Sequence, residues 1–109
     1  LSLMQLFLRQ NKLMVMTMSE LTKIMRRLIE LRMKVIQAKD SKTGKKPEFR
    51  QYAVQYFLNL TPAYQMYGIE GLRTQIMYIL SNLEDWTCEE GMKTKNELKL
   101  IHIQLKEMI

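Results

Sequence analysis

The chain has 109 residues, 47% of them hydrophobic and 26% charged, which is the balance of one small globular domain and excludes a disordered or fibrous protein. One Cys and one His exclude an internal disulfide and the usual zinc ligand sets, so the composition implies no metal and no cofactor. The net charge of +6 is uneven, with 12 Lys and Arg against 4 Asp and Glu in residues 1–50 but 5 against 7 in residues 51–109, so the positive field belongs to the first half.

Leu1–Met16 (LSLMQLFLRQNKLMVM) holds ten apolar residues in sixteen. Arg9, Asn11 and Lys12 interrupt it well short of the roughly 20 residues that a membrane span needs. Charges inside the apolar stretch, and no small-residue cleavage site after it, also argue against a signal peptide. Leu3, Phe7 and Met14 keep helical spacing, whereas Leu6 and Leu8, then Leu13 and Val15, alternate as in a strand. The abundance of Leu, Met and Gln favours a helix. A single helix lying on a small bundle leaves one face wet, yet the consecutive Leu6, Phe7 and Leu8 point to different sides. The segment is therefore expected to be an association surface, most simply in a homodimer, with Leu3, Leu6, Phe7, Met14, Met16 and Met18 at the interface.

Thr17-Met-Ser-Glu20 matches a capping box, in which a hydroxyl and a carboxylate each satisfy a free backbone N–H, and predicts a helix over about 17–37. Leu21, Ile24, Met25, Leu28, Leu31, Val35 and Ile36 fill one side of it, opposite Lys23, Arg27, Glu30 and Lys34. Arg32 falls between Leu21 and Met25 on the helical wheel, inside the apolar arc. A charge there is expected to pair with a carboxylate or to face a partner.

Lys39–Pro47 (KDSKTGKKP) reads as a loop. A helix over about 47–60 places Phe49, Ala53, Tyr56, Phe57 and Leu60 on one side, with Pro47 in its first turn. Thr61-Pro62 reads as the cap and first turn of a short helix ending near Gly68. A further helix over about 69–83 carries Ile69, Leu72, Ile76, Ile79, Leu80 and Leu83, and Thr87-Cys-Glu-Glu90 is a second capping box that opens the last one. In that last segment Leu98, Ile101, Leu105 and Met108 keep helical steps, while Ile101, Ile103 and Leu105 also alternate as in a strand; the flanking Lys, Glu and Leu decide for helix. The expected fold is all-α, a single domain formed as a compact bundle of four or five helices with short loops, since the apolar faces must meet.

Catalytic equipment is sparse. On one continuous helix Cys88 and His102 stand about 21 Å apart, too far for a nucleophile and its base. Glu89 and Glu90 oppose any thiolate stabilisation at Cys88, which reads as a plain, partly buried side chain. The acidic pairs Glu84/Asp85 and Glu89/Glu90 are typical of helix ends, and Gly68-Ile-Glu-Gly71 lacks the Lys-Ser/Thr of a phosphate loop. A helix-turn-helix centred on Gly68 or Gly71 would put Tyr64 or Tyr67 where a small residue is needed, and one centred on Gly91 would put Glu97 in an apolar slot. Arg26, Arg27, Lys39, Lys42, Lys45, Lys46 and Arg50 nevertheless remain candidates for contacts to phosphates or to an acidic partner. Tyr52, Tyr56, Tyr64, Tyr67 and Tyr78 are candidates for base stacking, although such spacing usually marks a bundle core or rim. Ten methionines suit an adaptable helix-binding surface. The many Phe, Tyr, Met, Ile, Asn and Lys residues against few Gly, Ala, Arg and Pro suggest an AT-rich gene, as in many phages and mobile elements. The expected function is that of a non-enzymatic, cytoplasmic interaction protein, a regulator, inhibitor or adaptor that binds another protein and itself. Nucleic-acid binding is the second reading.

Overall fold

The computed structural model describes residues 2–39 and 47–109, and of residues 6–17 the helical backbone alone. It contains five α-helices, α1 (Leu3–Ile36), α2 (Glu48–Leu58), α3 (Leu60–Tyr67), α4 (Ile69–Asn82) and α5 (Glu89–Glu107), and among the described residues no strand. The fold is the expected all-α bundle. The apolar stripes meet in one core, in which Leu28, Leu31 and Val35 of α1, Ala53 and Phe57 of α2, Leu72, Ile76 and Ile79 of α4, and Leu98, Ile101 and Leu105 of α5 are buried together. Packed against α2, α3 and α5, α4 is the hub, and α1 leans on α2 and α5.

The first two predicted helices are one. Thr17 and Glu20 lie inside α1, so the capping box read there does not open a helix. The box that does is at Ser2, whose Oγ accepts from the backbone N–H of Gln5 while its own N–H donates to Gln5 Oε1. Extending an existing helix adds one hydrogen bond per residue fixed, whereas a new start repeats the unfavourable nucleation, so the helix-favouring residues before Thr17 simply join the helix that follows. The second box does not form, and the helix it was expected to open starts one residue later. Cys88, with its extended backbone and its carbonyl accepting from Met92, is the N-cap of α5, and no side chain caps it. Pro47 is likewise the N-cap of α2 and not its first residue, and Asn59 precedes α3, with Thr61 and Pro62 in its first turn.

The α3–α4 corner depends on two glycines. Gly68 has φ 68° and ψ −149°, a region that side chains disfavour, and it ends α3 as the sequence indicates. Three residues later α4 crosses α3 so closely that a Cβ on Gly71 would stand 2.2 Å from the Ala63 carbonyl oxygen. Because backbone cannot yield as a side-chain tip can, Gly71→Ala should cost about 3 kcal/mol, at the upper end for overpacking. That corresponds to about 12 °C in melting temperature at about 4 °C per kcal/mol. A thermal melt within 2 °C of the unaltered protein would show that the two helices separate freely.

Neighbours cover only part of α1. Both α2 and α5 run antiparallel to it: Arg50 Nε donates to the Ile36 carbonyl at 2.6 Å while Phe57 and Leu58 lie level with Met25 and Ile29. On the other side Lys34 pairs with Glu90 at 3.3 Å, Arg27 with Glu97, and Glu20 and Lys23 share a crevice with Glu107 and Met108. Both partners thus end near Leu21–Met25, and Ile24 is the first buried residue of α1 among those described. The preceding part, about 27 Å at 1.5 Å per residue, extends beyond the bundle as an arm. The radius of gyration reflects it: 16.9 Å, against about 13 Å for a compact chain of this length.

Candidate functional site

Of the predicted interface residues, Leu3 and Met18 stand on the arm, 87% and 65% exposed, as does Met4 at 73%. Leu6, Phe7, Met14 and Met16 have side chains outside the described residues, as do Lys42, Lys45 and Lys46 altogether. Every described side chain from Ser2 to Gln5 and from Met18 to Glu20 is exposed, so the arm presents large apolar groups to solvent.

The basic residues divide by use. Arg27 donates to Glu97 from two nitrogens and to Glu30 from a third, tying α1 to α5. Those hydrogen bonds raise the pKa of Arg27 further and hold Glu97 below the usual carboxylate range. Arg50, in the first turn of α2 as the expected helix over 47–60 implies, seals the last turn of α1 through the Ile36 carbonyl. Arg26 and Lys39 are exposed. Arg32 is half-buried on the wall of a small pocket between α1 and α2, and its Nε is buried without a hydrogen-bond partner.

Three surface features escape a sequence reading. One is the crevice of about 700 Å³ between α1 and α5, in which Ile24, Leu100 and Met108 alternate with Lys23, Arg27 and Glu97. Another, of about 450 Å³, lies between α3 and α4, beside Tyr67, Tyr78 and Met66. The third is the Arg32 pocket. The first and third form between elements distant in sequence and the second at the α3–α4 corner; the local signals are apolar residues off the core stripe, such as Ile29, Met33 and Leu100. Of the tyrosines, Tyr56 and Tyr78 pack on each other at 5.4 Å, and Tyr52, Tyr64 and Tyr67 are exposed.

Cys88 corrects an expectation: it is exposed, because it caps α5 outside the core instead of lying on the buried face. His102 lies fourteen residues further along the same chain, within α5, half-buried, and burial together with Arg73 holds its pKa below the ordinary imidazole value despite Glu70. Among the described residues no three His, Cys, Asp or Glu side chains converge as a metal site, and no described helix is long and apolar enough to cross a membrane.

The shifts predict how stability depends on pH. Glu97 and His102 both have folded-state values below their unfolded ones, so the unfolded chain binds more protons and stability rises with pH. The His102 contribution is complete above its unfolded value of 6.5 and fades as pH falls through the lower folded value. That of Glu97 is complete above 4.5 and fades below it. Exposed to water, the Arg27–Glu97 pair contributes at most about 1 kcal/mol and less in high salt. The melting temperature should fall from pH 7 to pH 5 and again to pH 3, and His102→Gln should flatten the first step alone. A melting temperature that rises on acidification would contradict both assignments.

When the chain is compared with protein-family models, with curated proteins and with solved structures, it matches none of them.

Proposed function

We propose that this chain is a non-enzymatic helical interaction module that assembles with other proteins, first of all with a second copy of itself, through the projecting half of α1. What carries the reading is that α2 and α5 both end near Leu21–Met25 while α1 continues for about 27 Å with Leu3, Met4 and Met18 in solvent. Monomeric soluble proteins rarely keep large apolar patches wet, and a helix pair that covers Leu3, Met4 and Met18 is the simplest remedy. The sequence supports the non-catalytic part: the lone Cys caps the helix in which the lone His lies, and the fourteen residues between them amount to about 21 Å.

Binding to nucleic acid through the basic first half is the competing reading, and salt separates the two. An apolar helix pair should hold its sedimentation coefficient from about 0.05 to 0.2 M salt, whereas binding through six or more phosphate contacts falls about a thousandfold or more over that range. Sedimentation of the pure protein, and retention of a labelled DNA duplex, measured across the same salts, test it. A salt-insensitive dimer with feeble DNA retention is expected; a monomer that holds DNA tightly at 0.15 M salt would reverse the order.

A further inference from the structure

We infer that the face of α1 and α2 around Arg32 docks an acidic amphipathic helix from another protein. The inference names a partner for the interaction module proposed above, but on a surface separate from the arm.

Arg26, Ile29 and Met33 follow one another at three- and four-residue steps and so share a face of α1. Ile29 and Met33 are 54% and 42% exposed, and Leu58 at the end of α2, 59% exposed, lines the same pocket as Ile29. None belongs to the core, so they form a short apolar row along the seam of two helices. Under that row lies a pocket of about 160 Å³ whose walls include Leu28, Ile29, Arg32, Phe57 and Leu58. An apolar cavity of about 150 Å³ accommodates benzene, so this one has room for a single Leu, Met or Phe side chain from a partner.

The charge of the partner follows from Arg32. Its Nε is buried and has no acceptor, an arrangement that costs free energy until an anion arrives. A carboxylate meets a guanidinium with two parallel hydrogen bonds and would satisfy Nε together with a terminal nitrogen. Two neighbouring cations of α1 are already engaged, Arg27 with Glu97 and Glu30, and Lys34 with Glu90. Among the described residues no ion pair includes Arg26 or Arg32, the two cations that flank the apolar row. A ligand that places apolar residues at three- and four-residue steps and carboxylates on both sides matches the row, the pocket and both cations at once. A nucleic-acid backbone gains nothing from Ile29, Met33, Leu58 or the pocket.

The test uses the full chain and a fluorescein-labelled helical peptide of about 18 residues with Leu at the apolar steps and Glu on both flanks, alongside the same peptide with Gln for every Glu. Fluorescence anisotropy should show the Glu peptide binding about tenfold or more tightly than the Gln peptide. Arg32→Gln should weaken the Glu peptide about tenfold and leave the Gln peptide unchanged, and Leu58→Asp should abolish binding of both. The peptide exchange needs no change to the protein, so it reads charge recognition even if a variant folds poorly. Equal binding of the two peptides, no binding of either, or displacement of the Glu peptide by a DNA duplex would overturn the inference. Removing residues 1–16 should leave peptide binding intact, so loss of self-association and loss of this site are separable results.

Discussion

Trp86→Ala should cost about 4 kcal/mol, the largest loss expected from any single side chain here. The indole is 5% exposed in the turn between α4 and α5, where its backbone N–H closes onto the Leu83 carbonyl. It packs on Phe49 at the start of α2, with ring centroids 5.7 Å apart and tilted by 33°. It also occupies the space that a side chain on Gly91 would need, since a Cβ there would stand 2.7 Å from Trp86 Cγ. One ring therefore joins the beginning of α2, the end of α4 and the beginning of α5. At about 4 °C per kcal/mol the melting temperature should drop by roughly 16 °C. Trp86→Phe keeps a ring against Phe49 and should lose less than half as much. Urea unfolding followed by circular dichroism measures both, since the alterations remove the only tryptophan. A loss below 1 kcal/mol for Trp86→Ala would mean that the turn is held by its backbone alone.

Deleting residues 1–16 should convert a dimer into a monomer without unfolding the bundle. The ten apolar side chains of that segment contribute about 20 kcal/mol if fully buried, at about 2 kcal/mol each. Ordering sixteen residues costs about 24 kcal/mol. The two nearly cancel, so the arm is stable as a helix only where a second surface covers most of its apolar groups. At roughly 80 Å² per side chain, ten of them bury about 800 Å², the usual contribution of one partner to a stable interface. Sedimentation should therefore show a full-length dimer and a truncated monomer. The truncated chain should melt at the same temperature at every concentration, whereas the full-length chain should melt higher as concentration rises. A full-length chain that is monomeric at 100 μM, or a truncated one that still dimerises equally well, would refute the assignment of the arm.

The bundle was legible because the residues that meet in it repeat at three- and four-residue steps. Leu28, Leu31 and Val35, or Leu72, Ile76 and Ile79, show their buried face before any partner is known. Helix ends were less legible. Thr17-Met-Ser-Glu20 has the chemistry of a start signal, but such a signal acts only where the preceding residues leave the helix, and Lys12, Leu13 and Met14 do not. The arm could not be seen as an arm, since its exposure depends on where α2 and α5 stop beside α1. Arg32 stood out on the wheel, yet that Arg27 would find a carboxylate seventy residues away and Arg32 none depends on the crossing of α1 and α5. Arg50 looked free for phosphates or an acidic partner for the same reason; its role is set by a carbonyl fourteen residues upstream.

Because α1 is unbroken from Leu3 to Ile36, it transmits rotation as a shaft does. Whatever grips the arm is held at an angle to the bundle fixed by the number of residues between the two. One residue inserted near Met18 would turn the grip by about 100° and move it outward by about 1.5 Å. Seven would return it almost to its original bearing about 10 Å further out. Partner geometry in this protein is thus encoded as a length, and variants that lengthen or shorten the shaft would re-aim whatever it carries while every contact within the bundle stayed the same.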